Sequence, residues 1–432
     1  MPTETKGTST PIASIQEKSS ATYCEAWVTA STDFPLEFLS RLVVYRPTVD
    51  SIFLGIIEDV YFEYNDRSAG YKKKFRLRHL LCLDKKISRP SPVRDAPPLG
   101  SLIYLADEND LASFFPVKRF PEQSYLGTVR GTSYPLPLNL DRLCFSNTAI
   151  VAGINHGKSH LAALIVSQLH LTKKKVLVID PSGEWTQLID SIKKSLEKNA
   201  HLEVKSTSIH AAVINLAPGD PLVVLDLPPP QWLKEMWESF RGNNLTVLDV
   251  SLSSRGDMTA EDKLTARCKM VYHIQQVLMR TAVAEYGKTK KPYCAPTCIV
   301  LDEAHEFVPS NPQVGYQKQL SILFSISTKE YRKYGSGHIF IDQSLASLHH
   351  DIQIQTFLLG GTTQPDDLSY LGVKLGENVV AAVQRTIGGT GAPSWVAFGT
   401  ATPMTNLPWE LESLGEAQLS ILALKKEPSA IA

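Results

Sequence analysis

Apolar residues along the chain fall into two textures. Between residues 23 and 105 they come in short runs, YCEAWVTA, RLVVYR, SIFLGIIEDVYF, FRLRHLLCL and SLIYLA, broken by Pro, Gly, Asp and Asn. Several short strands at this spacing predict a small barrel or sandwich. From about residue 147 apolar runs alternate with helical stretches: TAIVA, HLAALIVSQL, KVLVID and WTQLIDSIKKSLEK come first. LVVLD, TVLDVS, DKLTARCKMVYHIQQVLMRTAVAEY, CIVLDE, KQLSILFSISTKEYRKY, HIFID, TFLLGG and SWVAFG follow. Such alternation predicts an α/β fold with right-handed crossovers and a largely parallel sheet covered on both faces. The strands are continuously apolar, as doubly covered parallel strands are. No internal repeat interrupts the pattern. The polar stretch over 1–22, rich in Ser and Thr, reads as a disordered tail, and 425–432 as a frayed one. The β-rich domain is assigned to 23–125 and the α/β domain to 126–424, with a mixed connector over 106–145.

Composition narrows the function class. Apolar residues make up 43% and charged residues 20%, enough apolar surface for a folded core. Lys plus Arg is 44 and Asp plus Glu is 44, which excludes a basic coat for nucleic acid but not a local basic channel. No run approaches a membrane span of about 18 residues, and the first residues lack the apolar core of an export signal. Six scattered cysteines fit a reducing, cytoplasmic setting. Cys294 and Cys298 lack the partner pair that a zinc site needs, so they read as a loop and a strand cysteine.

The strongest chemical signal is Ala152-Gly153-Ile154-Asn155-His156-Gly157-Lys158-Ser159, followed by His160. A strand ending at Ala152 feeds a loop that feeds a helix starting near Lys158. Backbone N–H groups there converge on phosphate oxygens. Lys158 is placed to reach the β and γ phosphates of ATP, and the Ser159 hydroxyl to enter a Mg²⁺ shell. Leu161, Leu164, Ile165 and Leu169 form the helical stripe expected next.

A second signal is the apolar strand Cys298-Ile299-Val300-Leu301 running into Asp302-Glu303-Ala304-His305. Ligands bind at the carboxyl ends of parallel strands, so both acids are expected to face the nucleotide. Asp302 is assigned to Mg²⁺ through water, and Glu303 to orienting and deprotonating the attacking water. A third strand ends in Asp342-Gln343-Ser344, where Gln343 is a candidate sensor of the γ-phosphate and the water. The apolar spacing over Leu320 to Tyr334 predicts a helix stopped by Gly335. Its last-turn cations, Arg332 among them, suit the helix dipole; alternatively Arg332 is a finger offered to a neighbouring subunit. Glu184, after the strand ending at Asp180, is placed near the nucleotide or a subunit boundary.

The strings IVAGINHGKS, VLVIDPSGEW, IVLDEAHEFVP, KEYRKYGSGHIFIDQS and TTQPDDL, in that order behind a β-rich region, resemble the HerA branch of the HerA/FtsK ATPases. LGIIEDV, PPLGSLIYLADENDL and YLGTVRG look like the small barrel that precedes the motor in that family. Asp180 to Trp185, Asp302 to Pro309, Glu330 to Gly335 and Asp342 to Leu345 carry its later motifs. Ser182 stands in place of a family histidine, Tyr331 in place of a glycine, and Asp342 to Leu345 in place of S-Q-R-P. The resemblance implies a RecA-like P-loop motor forming a homo-hexamer, hydrolysing ATP and moving along double-stranded DNA. It implies a NurA-like nuclease partner in DNA end processing, or a defence effector. The alternative is a nucleotide-regulated ring that scaffolds such an effector without translocation. The D-E-A-H string also occurs in two-lobed helicases, but too little chain follows His305 for a second lobe.

Overall fold

The computed structural model describes residues 10–28, 41–48, 51–65, 70–84, 89–116, 124–153, 156–172, 174–185, 187–188, 212–215, 245–252, 258–291, 297–361, 364–387 and 395–412. The chain divides into two compact units, 1–117 with 128–134, and 118–127 with 135–432.

The first unit is built on β1 (Ala13–Ser19), β2 (Tyr23–Val28), β3 (Leu42–Thr48), β4 (Ser51–Asn65), β5 (Gly70–Asp84), β6 (Arg89–Ser91) and β7 (Leu102–Leu105). The strands pair in the order β2-β1-β7-β3-β4-β5, and β2 pairs again with β5, so six strands close into an antiparallel barrel with β6 added on β5. Alternate side chains such as Ile15, Ala26, Val43, Phe75 and Ile103 fill its interior. Gly55 lies where β4 shifts register, and a Cβ there would overlap the Tyr45 ring and hydroxyl inside the barrel.

Two expectations are corrected in this unit. The stretch assigned to a tail through residue 22 contains β1, whose Ala13 and Ile15 are fully buried. Its alternation is short and its other residues are polar, so it looks like tail until a barrel seam covers one face. The domain boundary at 125–126 is also crossed, because Thr128–Tyr134 returns to the first unit.

The second unit carries β8 (Ser124–Val129) up to Gly127, β9 (Pro135–Leu138), β10 (Thr148–Val151), β11 (Lys175–Asp180), β12 (Ala212–Asn215) and β13 (Leu245–Asp249). It continues with β14 (Thr297–Leu301), β15 (Ser336–Asp342), β16 (Thr356–Leu359), β17 (Trp395–Gly399) and β18 (Trp409–Glu412). Among the described residues they form one sheet in the order β12-β13-β11-β14-β15-β10-β16-β17-β18-β8-β9. The pairs from β12 to β16 are parallel, and β17 and β18 add antiparallel. The fold is therefore a mainly parallel α/β sheet in a chain that also carries a small barrel. Helices Lys158–Leu171, Ala260–Thr289 and Gly315–Glu330 supply the connections that matter for the site. The last begins five residues before the expected Leu320, and continues as a 3₁₀ turn over Tyr331–Tyr334 that stops at Gly335, φ +94°. The LVVLD strand and most of the WTQLIDSIKKSLEK helix lie outside the described residues.

A buried polar knot fastens this sheet to its helices. Asn147, just before β10, donates to the carbonyls of Thr328 at 3.0 Å and Gln353 at 2.8 Å. Its Oδ1 accepts from His338 Nδ1 at 3.0 Å, leaving Nε2 to accept from Gln275 at 3.1 Å. Burial pushes the His338 imidazole down to about 3, so it stays neutral.

Candidate nucleotide site

Sheet order makes the site. Strands β11, β14, β15 and β10 are consecutive neighbours and parallel, so their carboxyl ends lie side by side. Each delivers one of the strings singled out above.

At the end of β10, Gly153 N–H bonds the Gly361 carbonyl at 3.1 Å. Gly157 then takes φ +73° as the N-cap of helix Lys158–Leu171. A Cβ at Gly157 would meet nothing within 4 Å, so backbone angle, not space, is what asks for glycine. The helix it starts is buried over residues 161–169, which anchors the loop in the core. Gly153, residues 156–160, Glu303 and Gln343 line a cleft of about 410 Å³. Ile154 and Asn155 lie outside the described residues.

At the end of β14, Glu303 adopts φ +43°, ψ +56°, a left-handed conformation that is uncommon away from glycine and that gathers at functional sites. This turn aims the carboxylate into the cleft. Lys158 Nζ lies 3.3 Å from Glu303 Oε1, and Gln343 Nε2 donates to Oε2 at 3.4 Å. Three residues assigned separately from the sequence thus meet at one carboxylate.

Asp302 sits deeper, 5% exposed. Its Oδ1 accepts from the Glu303 N–H at 3.1 Å, and its Oδ2 from the indole Nε1 of Trp185 at 2.8 Å. Burial pushes its carboxyl up to about 6, against the pull of the indole bond, with the Glu303 charge adding to the rise and Lys158 opposing it. One lone pair on each oxygen remains, which fits a water-mediated cation.

The string after β11 does something the sequence did not suggest. Asp180 accepts from Ser182 N–H and Oγ, Gly183 N–H and Trp185 N–H, at 2.8 to 3.0 Å. Gly183, φ +80°, completes a turn that drives Trp185 into the core at 1% exposure, with its indole on Asp302. Glu184 is exposed and does not line the cleft, so the structure separates it from the other assigned residues. Only the aromatic at the end of the string hinted at a role, and a buried indole needs an acceptor. Trp185→Phe removes that donor from a buried acid. It is expected to lower stability by about 1–3 kcal/mol. An unchanged thermal midpoint would show that the indole bond contributes nothing.

His305 and Asp342 are the other contacts missed. His305 donates to Asp342 Oδ2 from its backbone at 2.7 Å and from Nδ1 at 3.2 Å. The hydrogen bond to Asp342 raises the imidazole above its ordinary value, burial opposes this, and the charges of Asp342, Glu303 and Glu306 add to the rise. Arg332 lies on the exposed 3₁₀ turn after helix Gly315–Glu330 and is not in this cleft. No described helix is long and apolar enough to cross a membrane.

Comparison with known proteins agrees with the strings. Residues 124–263 match the family model described as the central domain of helicase HerA. Over 120 residues the chain is 28% identical to the "Probable DNA double-strand break repair helicase HerA" of Methanocaldococcus jannaschii, a match covering 26% of this chain and 23% of that protein. Among solved structures, VirB4 of Thermoanaerobacter pseudethanolicus is 13% identical, with TM-score 0.42 over 69% of this chain and 97% of that one. The genome packaging NTPase B204 of Sulfolobus turreted icosahedral virus 2, solved with AMPPCP, is 10% identical, with TM-score 0.37 over 62% and 97%. Over residues 124–263 the chain is therefore similar to the central domain of helicase HerA, the resemblance that its motif strings carry.

Proposed function

We propose that this chain is the motor subunit of a homo-hexameric ring that hydrolyses ATP to move along double-stranded DNA, with a NurA-like nuclease or a defence effector as partner. The observation that carries the reading is the meeting of Lys158 and Gln343 on the carboxylate of Glu303 across a cleft floored by a helix N-terminus. A carboxylate held beside a phosphate-binding loop is where an attacking water has to be oriented. Loop N–H groups and Lys158 bind the phosphates, Glu303 takes the water's proton, and Gln343 reports the γ-phosphate. The Ser159 hydroxyl and, through water, Asp302 would hold Mg²⁺, whose chemistry is to neutralise charge on the β and γ phosphates. Both fit that task, since Ser159 lines the cleft and Asp302 keeps one lone pair per oxygen.

Arg332 acts in trans. It is exposed, away from its own cleft, at the end of a helix that also exposes Ile322 (52%) and Ile326 (41%). That apolar stripe supports a subunit boundary on this face.

The DNA part is tested by ATPase rate against double-stranded DNA at low and moderate salt. With no net charge on the chain, binding has to come from basic loops converging in a ring. Such contacts to phosphates are indifferent to base sequence and weaken steeply with salt. DNA is therefore expected to stimulate turnover, and added salt to remove the stimulation. A response flat in both salts, with and without a nuclease partner, refutes the motor and leaves a nucleotide-regulated scaffold.

A further inference from the structure

Glu303 leaves β14 in a left-handed turn, so no regular element keeps its carboxylate in one direction. From the cleft side, Lys158 steadies Oε1 and Gln343 steadies Oε2. On the hydrolytic reading, both of these groups turn to phosphate and water when nucleotide enters. A third contact comes from outside the cleft. His305 Nδ1 lies 3.6 Å from Glu303 Oε2, an ion-pair distance longer than a hydrogen bond, and 3.2 Å from Asp342 Oδ2. His305 lines a second hollow, of about 470 Å³, beside Arg267, Glu306 and Gln317.

Asp342 explains why this imidazole does not swing away. It is 1% exposed at the end of β15. Its Oδ1 accepts from the N–H groups of Gln343 at 2.7 Å and Ser344 at 3.3 Å. Its Oδ2 accepts from His305 N–H at 2.7 Å and Nδ1 at 3.2 Å. Four donors fill the four acceptor sites of a carboxylate, and they require the proton on Nδ1. The ligand atoms of Glu303, His305 and Asp342 lie within 4.8 Å of one another, a spacing that a cation could use. The filled acceptor sites of Asp342 leave it no lone pair for one, so the hydrogen bonds account for the arrangement.

We propose that His305, clamped by Asp342, is the positioning residue of Glu303. It holds Oε2 toward the attacking water after Lys158 and Gln343 have turned to the nucleotide. Asp342 thereby links the end of the strand that carries Gln343 to the turn that carries Glu303. The inference rests on the hydrolytic reading above.

The test compares wild type, His305→Ala, His305→Asn and Glu303→Gln by steady-state ATPase, binding of a fluorescent ATP analogue and thermal unfolding. Misplacing a catalytic group by about 1 Å slows a reaction about a hundredfold. His305→Ala is therefore expected to lower kcat by about that factor with KM and analogue affinity as in wild type, and to lower the unfolding midpoint, since it leaves the buried Asp342 one donor short. His305→Asn, whose NH₂ falls near Nδ1 and carries one N–H for Asp342 and a second for Glu303 Oε2, is expected to recover to within about tenfold of wild type. An alanine variant as fast as wild type, beside an inactive Glu303→Gln, overturns this proposal and leaves the hydrolytic reading standing. Alanine and asparagine variants equally slow, or affinity falling in step with kcat, also overturn it. If the alanine variant unfolds, the asparagine variant decides: fast supports, slow refutes. A wild type without turnover removes the hydrolytic reading, and this proposal with it.

Discussion

Replacing Lys158 with alanine is expected to lower steady-state ATP turnover by about a thousandfold, the loss seen when one preorganised donor to a developing charge is removed. The lysine is 11% exposed at the first turn of helix Lys158–Leu171 and within 3.3 Å of Glu303. It pairs with the carboxylate proposed to receive the water's proton. On that proposal nucleotide phosphates compete with Glu303 for the lysine, so phosphate binding and release of the base are one event. Glu303→Gln separates the two roles. It keeps a side chain of the same shape beside Lys158, and so retains nucleotide while turnover falls by about a hundredfold or more. Steady-state rates and equilibrium binding on both variants decide the matter. If neither rate changes, this cleft is not where hydrolysis occurs.

Arg332→Ala is expected to lower turnover by about a thousandfold or more, as loss of an arginine finger does, with nucleotide affinity and assembly intact. A finger from a neighbour makes a further result accessible. Mixing Arg332→Ala with Lys158→Ala subunits restores part of the activity, because some boundaries then pair an intact cleft with an intact arginine. Rates on the mixture against each variant alone provide the check. Full activity of Arg332→Ala by itself places the residue outside the chemistry.

The parts of this protein that were legible in the sequence are those whose causes are local. A loop between an apolar strand and an apolar helix declares itself through Gly157, Lys158 and Ser159. The apolar run Thr297–Leu301 declares the acids that follow it. What stayed hidden depends on register across the sheet. Trp185 meets Asp302 because β11 and β14 are neighbours, and His305 meets Asp342 because β14 and β15 are. Nothing within either string specifies that pairing. For the same reason nothing in the string separates exposed Glu184 from its neighbour Trp185, which the turn held by Asp180 sends inward. β1 reads as tail in the sequence because two fully buried residues, Ala13 and Ile15, make too short an alternation to stand out.

The knot around Asn147 and His338 has a mechanical consequence. It joins the start of β10, the interior of β15 and the end of helix Gly315–Glu330, four residues before Arg332. The phosphate loop and Gln343 stand at the opposite ends of those strands. The two strands and the helix are then arms of a lever with one fulcrum. If, as proposed, an adjoining subunit bears on Arg332, the push would reach the phosphate loop as a tilt of the whole arm, because sliding would break several buried hydrogen bonds at once. The fulcrum is an uncharged imidazole, so its stiffness does not vary with proton concentration near neutrality.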